Sequence, residues 1–159
     1  MSKFEFQGKW PSEARASAEP AFSGLEWLVP GWCQAVTIRW NPTPDEGNTT
    51  ATAASNVNFA YRCARIEIFP CFLTDFEERR LTVIHELLHI SIQPLAEYAC
   101  DLADRLLKED SPKFHESVCD EIRVRNEGAV EDLAHAILGR ERRIEAKSTT
   151  GPWAEPVRP

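Results

Sequence analysis

The 159-residue sequence has neither a long apolar run nor a Cys-x-x-Cys pair. Because a bilayer-spanning helix needs about 20 apolar residues and Met1 to Phe6 lacks the apolar core of a signal peptide, we expect a cytoplasmic protein without a membrane partner. An odd number of unpaired cysteines predicts neither a disulfide framework nor a thiolate zinc knuckle. We therefore expect reduced thiols that fill the core: Cys33, Cys63, Cys71, Cys100 and Cys119.

Basic residues are also scarce, with 18 Lys and Arg against 25 Asp and Glu and a formal net charge of -7. Nucleic acids are bound largely through clusters of Lys and Arg, so this balance argues against a nucleic-acid partner. The short basic run Arg140–Arg143 is interrupted by Glu141 and is typical of a solvated helix end. Apolar residues at 43% and charged residues at 27% predict one soluble globular domain.

The organisation along the chain predicts a flexible N-terminal arm over residues 1–23, a folded domain over 24–140 and a flexible tail over 141–159. Ala35 to Trp40 alternates between apolar and polar residues, which indicates a strand. Asn56 to Phe69 is also strand-like, but its two halves differ in phase, so we expect a kink or bulge around Arg62 to Arg65. Residues 41–54 between them predict a long connection.

Three helices are expected in the second half of the chain. A capping-box sequence at Thr74–Glu77 predicts the start of the first, which is apolar nearly all round and which Pro94 should end or kink. Leu95–Lys108 is predicted as a second helix, and Glu121–Leu138 as a third that ends at Gly139. Because the first of these helices has apolar residues on nearly all sides, we expect it in the middle of the domain.

The first helix carries the sequence His85-Glu86-Leu87-Leu88-His89. Two histidines four residues apart project from one helix face, so both can reach one zinc ion at about 2.0–2.1 Å. Glu86 can take a proton from a zinc-bound water whose pKa is lowered to about 7. The alternative is a pair of core histidines that bond to the backbone, but two buried imidazoles and a carboxylate would each need a partner.

A catalytic zinc ion takes three protein ligands and a water. A Gly three residues and a His six residues after His89 would supply a third histidine, but those positions hold Ile92 and Leu95. A carboxylate from a later helix remains, and the spacing of Glu127 from the apolar stripe of the third helix favours an inward position. The alternatives are an exposed acid at a helix start or another acid as ligand: Glu131, Glu121, Glu97 or Asp101.

Asn126 to Asp132 resembles the second ligand segment of the gluzincin metallopeptidases, and residues 127–134 are similar to that of small bacterial and phage-type members. The resemblance implies that Glu127 is the third ligand and that Glu131 orients His85. It also implies a minimal zincin-like α+β domain, with a small curved sheet packed on the motif helix and two further helices. In that family the strand before the motif helix borders the cleft, which would make Ala64 to Phe69 the edge that faces the substrate. The alternative for this segment is an ordinary core strand.

These observations predict a zinc metallopeptidase that holds Zn²⁺ through His85, His89 and Glu127, uses Glu86 as the catalytic base and cleaves a peptide or protein substrate. The alternative is a non-catalytic, zinc-stabilised binding or regulatory protein. A third possibility is latent activity, with the arm or the tail covering the cleft. Weak candidates for the group that stabilises the oxyanion are Tyr98, His115, His135 and Tyr61.

Overall fold

The computed structural model describes residues 3–43, 50–74 and 78–149, with side chains described up to residue 144. Within these residues the chain forms a four-stranded mixed sheet and three α-helices, so the predicted α+β class is confirmed. In chain order the elements are β1 (Phe4–Gln7), α1 (Ser12–Phe22), β2 (Ala35–Trp40), β3 (Ala53–Asn58), β4 (Cys63–Ile68), α2 (Arg79–Leu107) and α3 (Pro112–Thr149). Short 3-10 helices lie at Glu26–Leu28 and Pro70–Leu73.

The sheet has the strand order β1-β2-β4-β3, in which β1, β2 and β4 are parallel and β3 is antiparallel to β4. The alternation in β2 is confirmed, because Val36 and Ile38 are fully buried while Arg39 is exposed. Ile66 and Ile68 of β4 are also fully buried, and both strands share one core with the first half of α2. The sheet therefore has one face packed against the motif helix.

The segment predicted as one kinked strand over Asn56 to Phe69 is instead a hairpin. β3 and β4 are separate strands joined by a turn, in which the Arg62 backbone N–H donates to the Phe59 carbonyl at 3.1 Å. Arg62 has φ of 55°, a left-handed conformation that lets the chain reverse. The phase change in the sequence thus marks a reversal of direction, and the predicted connection over residues 41–54 is shortened by the first two residues of β3.

The prediction of a flexible arm over residues 1–23 is wrong for the part that the structure describes. β1 adds a parallel strand next to β2, and α1 packs on the core with Ala14 and Ala18 fully buried. The Phe22 ring lies 5.3 Å from that of Phe4 and 5.7 Å from that of Phe6. Alanine carries little hydrophobic signal, so this small-residue helix face, which permits close packing, does not stand out as an apolar stripe in the sequence.

α2 begins at Arg79, and Glu78 at its N-cap makes no side-chain capping bond. Thr74 does not cap it, because the Thr74 hydroxyl donates to the Cys71 carbonyl at 2.8 Å; the other three capping-box residues lie outside the described residues. Pro94 does not end the helix, and the two predicted helices form one of 29 residues. Proline in a helix interior costs about 3 kcal/mol, which the packing of α2 along α3 offsets.

α3 is also longer than predicted, since it continues through Gly139 to Thr149 and includes residues 141–149 of the expected tail. Gly139 has no positive φ, so it does not form the left-handed cap that ends many helices. Residues 150–159 lie outside the described residues. Val130 and Ala134 of the predicted apolar stripe are fully buried, whereas the stripe of the predicted second helix is mostly exposed, at Leu95, Tyr98, Leu102 and Leu106.

No helix within the described residues is both long enough and apolar enough to cross a membrane.

Candidate metal centre

The two motif histidines lie on neighbouring turns of α2 and turn the same ring nitrogen towards each other. The His85 and His89 Nε2 atoms are 3.0 Å apart, and the ring planes make an angle of 70°. The rest of this part of α2 is buried against the sheet, with Ile84, Leu87 and Ile90 fully inaccessible. The packing therefore fixes which face of the helix carries the histidines.

Glu127 reaches the pair from α3. Its Oε2 atom lies 3.5 Å from the Nε2 atom of His85 and 3.5 Å from that of His89. The three potential ligand atoms all lie within 4.8 Å of one another. Donor atoms at about 2.0–2.1 Å from a tetrahedral ion are roughly 3.4 Å apart, so the triangle is close to the size that a zinc ion needs.

Glu131, one turn further along α3, contacts the other nitrogen of His85. Its Oε2 atom lies 3.0 Å from His85 Nδ1, and its Oε1 atom lies 2.9 Å from His135 Nε2. A carboxylate accepts, so His85 makes this contact through an N–H at Nδ1, and Nε2 is the ring nitrogen that faces Glu127 and His89. A histidine that donates from Nδ1 to a carboxylate can bind a metal ion through Nε2.

Glu86 is buried beside the histidines, with 8% of its surface exposed. Burial raises the pKa of its carboxyl group, while hydrogen bonds from the Ser55 side chain and backbone and the charge of His85 oppose the rise. Burial also lowers the pKa of His89, against the effect of the neighbouring Glu127 carboxylate. The site thus combines two imidazoles, a ligand carboxylate and a second, sequestered carboxylate with a different environment.

A cleft of about 640 Å³ opens onto these side chains. One wall is β3, at Ala53, Ala54 and Ser55, and the others come from α2 and α3. The prediction that Ala64 to Phe69 forms the substrate-facing edge is wrong, because β4 lies between β2 and β3. The edge strand at the cleft is β3, which the sequence did not reveal because sheet order depends on pairing between distant segments.

The backbone of β3 presents polar groups to this cleft. The Phe69 N–H donates to the Thr52 carbonyl at 3.0 Å, so in an antiparallel ladder the backbone groups of residues 54, 56 and 58 face β4. Those of residues 53, 55 and 57 then face the other way, as the Ser55 backbone bond to Glu86 also indicates. The outer side of β3 can therefore accept an extended strand.

The remaining predicted residues are distributed differently. Among the fallback ligands, Glu97 lies in the cleft wall, Glu121 pairs with Arg125, and Asp101 borders a separate cleft. Of the weak oxyanion candidates, Tyr61 and Tyr98 are exposed, His135 contacts Glu131, and His115 belongs to another cluster. The cleft wall also contains Asn126, which begins the segment that resembles the gluzincin ligand motif. It contains three further polar residues that no local signal in the sequence marks: Ser55, Gln93 and Arg123.

The fold and the site together define an α+β protein with a candidate metal centre of two histidines and one carboxylate beside a buried glutamate. Comparison with protein-family models, curated proteins and solved structures finds no match to this chain. The resemblance to the gluzincins therefore stays a prediction based on the residues quoted above.

Proposed function

We propose that this chain is a zinc-dependent hydrolase that cleaves peptide bonds, with the metal held by His85, His89 and Glu127. The observation that carries the proposal is the convergence of three ligand atoms from two separate helices, with the other ring nitrogen of His85 in contact with Glu131. The donor set of two imidazoles and one carboxylate suits a catalytic zinc ion. When bound, zinc lowers the pKa of a coordinated water to about 7 and polarises a carbonyl oxygen.

Glu86 is the proposed catalytic residue. It follows the first histidine, lies in the wall of the cleft and is held by Ser55, so its carboxylate is positioned before the substrate arrives. Its raised pKa brings proton affinity closer to neutral pH, which suits a group that first accepts a proton from water and then donates it to the leaving amine. A site with only a structural ion would not need this buried acid.

The edge strand supports a peptide as the substrate. An extended peptide can add to β3 through the outward backbone groups of Ala53 and Val57, while the Ser55 N–H between them already bonds to Glu86. Backbone pairing of this kind gives affinity without dependence on the side-chain sequence. The polar side chains that line the cleft can then select among substrate side chains. Because β3, the metal ligands and Glu86 border the same cleft, a peptide bound along β3 would lie beside them.

The decisive experiment compares zinc content and turnover of a peptide library for the wild type and Glu86→Gln. We expect the variant to keep its zinc, since Glu86 is not one of the three ligands, and to lose about 10²–10⁴ in turnover. Glu19→Gln, an exposed glutamate on α1, is the matched control and should behave as the wild type. Full activity of a zinc-loaded Glu86→Gln protein would refute the mechanism.

The same experiment separates the enzyme from the alternative. A wild-type protein that binds zinc tightly and gains stability from it, yet cleaves no member of the library, would be a zinc-stabilised binding protein. Removal of an inhibitory arm cannot be tested by truncating Met1 to Ser23, because that deletion would remove β1 and α1 from the fold.

A further inference from the structure

A second cluster of potential ligands lies at the other end of the α2–α3 pair. Asp104 on α2 and His115 and Cys119 on α3 place one ligand atom each within 4.8 Å of one another. The His115 Nε2 atom is 3.4 Å from Cys119 Sγ and in close contact with Asp104 Oδ1. The chain between the two helices is only four residues long, so the contacts belong to a tight helical hairpin.

Cys100 supplies a fourth candidate ligand. It lies one turn before Asp104 on α2, as His115 lies one turn before Cys119 on α3, and each pair therefore shares a helix face. Burial raises the pKa of the Cys100 thiol, and the neighbouring Cys119 thiol adds to the rise. Cys100 is not one of the three ligand atoms that lie within 4.8 Å of one another, so its side chain would have to turn towards them to bind the same ion. All four side chains border one cleft, and Cys119 is only 5% exposed. Both thiols are free, although the sequence alone had suggested that they only fill the core.

The geometry does not fit a cysteine protease triad. In such a triad one ring nitrogen faces the thiol and the other faces the carboxylate, so that the ring can relay a proton. Here the same atom, His115 Nε2, faces both Cys119 and Asp104. A single ring nitrogen has either one hydrogen or one lone pair, and it cannot serve both neighbours in a relay.

We propose that Asp104, His115 and Cys119 form a second, structural zinc site, in which Cys100 turns in as the fourth ligand when the ion binds. Zn²⁺ binds thiolate sulfur at about 2.3 Å and imidazole nitrogen at about 2.0–2.1 Å, which places the two donor atoms roughly 3.6 Å apart in a tetrahedron. The 3.4 Å between Cys119 Sγ and His115 Nε2 is close to that value. Four protein ligands leave no position for water, so this site stabilises the hairpin and does not catalyse.

The site has a mechanical consequence for the first metal centre. Glu127 lies eight residues after Cys119 on the same helix, about 12 Å along its axis. A metal ion that joins the start of α3 to the end of α2 fixes how far α3 can slide or rotate. It therefore holds Glu127 opposite His85 and His89, although the proposal for the second site does not depend on catalysis at the first.

Cobalt substitution tests the second site separately, because only thiolate ligands give an intense near-ultraviolet charge-transfer band. The full chain, purified under reducing conditions and stripped of metal, is titrated with Co²⁺. The double variant His85→Gln/His89→Gln removes the first centre and should still bind one cobalt ion with the thiolate band, which one equivalent of zinc then abolishes. Absence of the band in this variant would overturn the proposal.

Cys100→Ser/Cys119→Ser in the same background removes both thiolates and should lose the band and at least about 100-fold in zinc affinity, since loss of an outer-shell partner alone costs about 10–100-fold. Cys63→Ser, which alters a half-buried thiol in β4, is the matched control and should keep the band and the zinc affinity. If Cys100→Ser/Cys119→Ser does not fold by circular dichroism, His115→Gln should lose zinc affinity by a similar factor while its two thiolates keep the band. A band that survives loss of both thiolates, or wild-type zinc affinity in His115→Gln, would refute the site. A mass two daltons low under the reducing conditions of purification, which would show a Cys100–Cys119 disulfide, would also refute it.

Discussion

Replacing Glu131 tests the geometry of the proposed first metal centre without changing any of its three proposed ligands. Its Oε2 atom lies 3.0 Å from His85 Nδ1, so the carboxylate keeps the hydrogen on Nδ1 and the lone pair on Nε2. In Glu131→Ala the ring is free to rotate and to change tautomer. We expect weaker zinc binding because part of the His85 population then presents an N–H group where the metal needs a lone pair.

The expected size follows from the exposure of Glu131. Loss of the partner that orients a ligating histidine typically costs about 10–100-fold in metal affinity, or about 1.4–2.7 kcal/mol. The Glu131 side chain is 49% exposed, so water can replace part of its interaction, and we expect about tenfold for Glu131→Ala. Glu131→Gln should lose less, because its amide oxygen still accepts from Nδ1 but without the negative charge.

Zinc affinity is measured by competition with a chromophoric chelator, and the His85 tautomer by nitrogen-15 NMR of the metal-free protein. Glu121→Ala, an exposed glutamate on α3 that pairs with Arg125, is the control and should leave both unchanged. The reasoning would be refuted by a Glu131→Ala protein with wild-type affinity, or by an equal loss in Glu121→Ala. A loss of affinity without a change in the tautomer would also contradict the proposed cause.

Two further predictions concern the fold. Pro94→Ala should raise the free energy of unfolding in urea, by up to about 3 kcal/mol, because alanine restores an N–H that can bond to the Ile90 carbonyl inside a continuous α2; a decrease would contradict the continuous helix. Arg80→Met should lower the free energy of unfolding by about 1.5–3 kcal/mol. The reason is that Arg80 donates to Glu141 at 2.8 and 3.0 Å and to two carbonyls at the end of α1. Arg15→Met, which removes a half-exposed ion pair, is the control and should change the free energy of unfolding by less than about 1 kcal/mol. An equal loss in Arg80→Met and Arg15→Met would argue that Arg80 does not hold α1 in place.

Local patterns predicted those parts of the fold that local physics determines. The alternation of β2 and the apolar motif helix follow from side-chain period and burial, and both appear where expected. Element ends were predicted poorly, because Pro94 and Gly139 stop a helix only when packing does not oppose them. The N-terminal helix was missed since Ala14 and Ala18 reveal their burial only when a partner surface is known.

The candidate site also contains residues that local patterns predict and residues that depend on the folded arrangement. A spacing of four residues on one helix is enough to bring His85 and His89 together, whereas the position of Glu127 depends on how α3 lies against α2. Ser55 could not be found from sequence, because its contact with Glu86 requires β3 to be the edge strand. The proximity of Cys100 to Cys119 could not be predicted either, because it depends on how α3 lies against α2. The sequence shows only that each cysteine has a potential ligand one turn away.

One antiparallel register of α2 and α3 accounts for both clusters. Along α2 from His85 to Asp104, the partners on α3 run backwards from Glu131 to His115. A shift of α3 by one residue would move its side chains by about 1.5 Å and turn them by about 100°, which would separate both sets of contacts at once. Glu127 is 60% exposed, so little packing around its side chain restrains it. Its distance from the two histidines is therefore set by the helix pairing, and whatever stabilises the far end of the hairpin also determines how well the first centre can hold a metal ion.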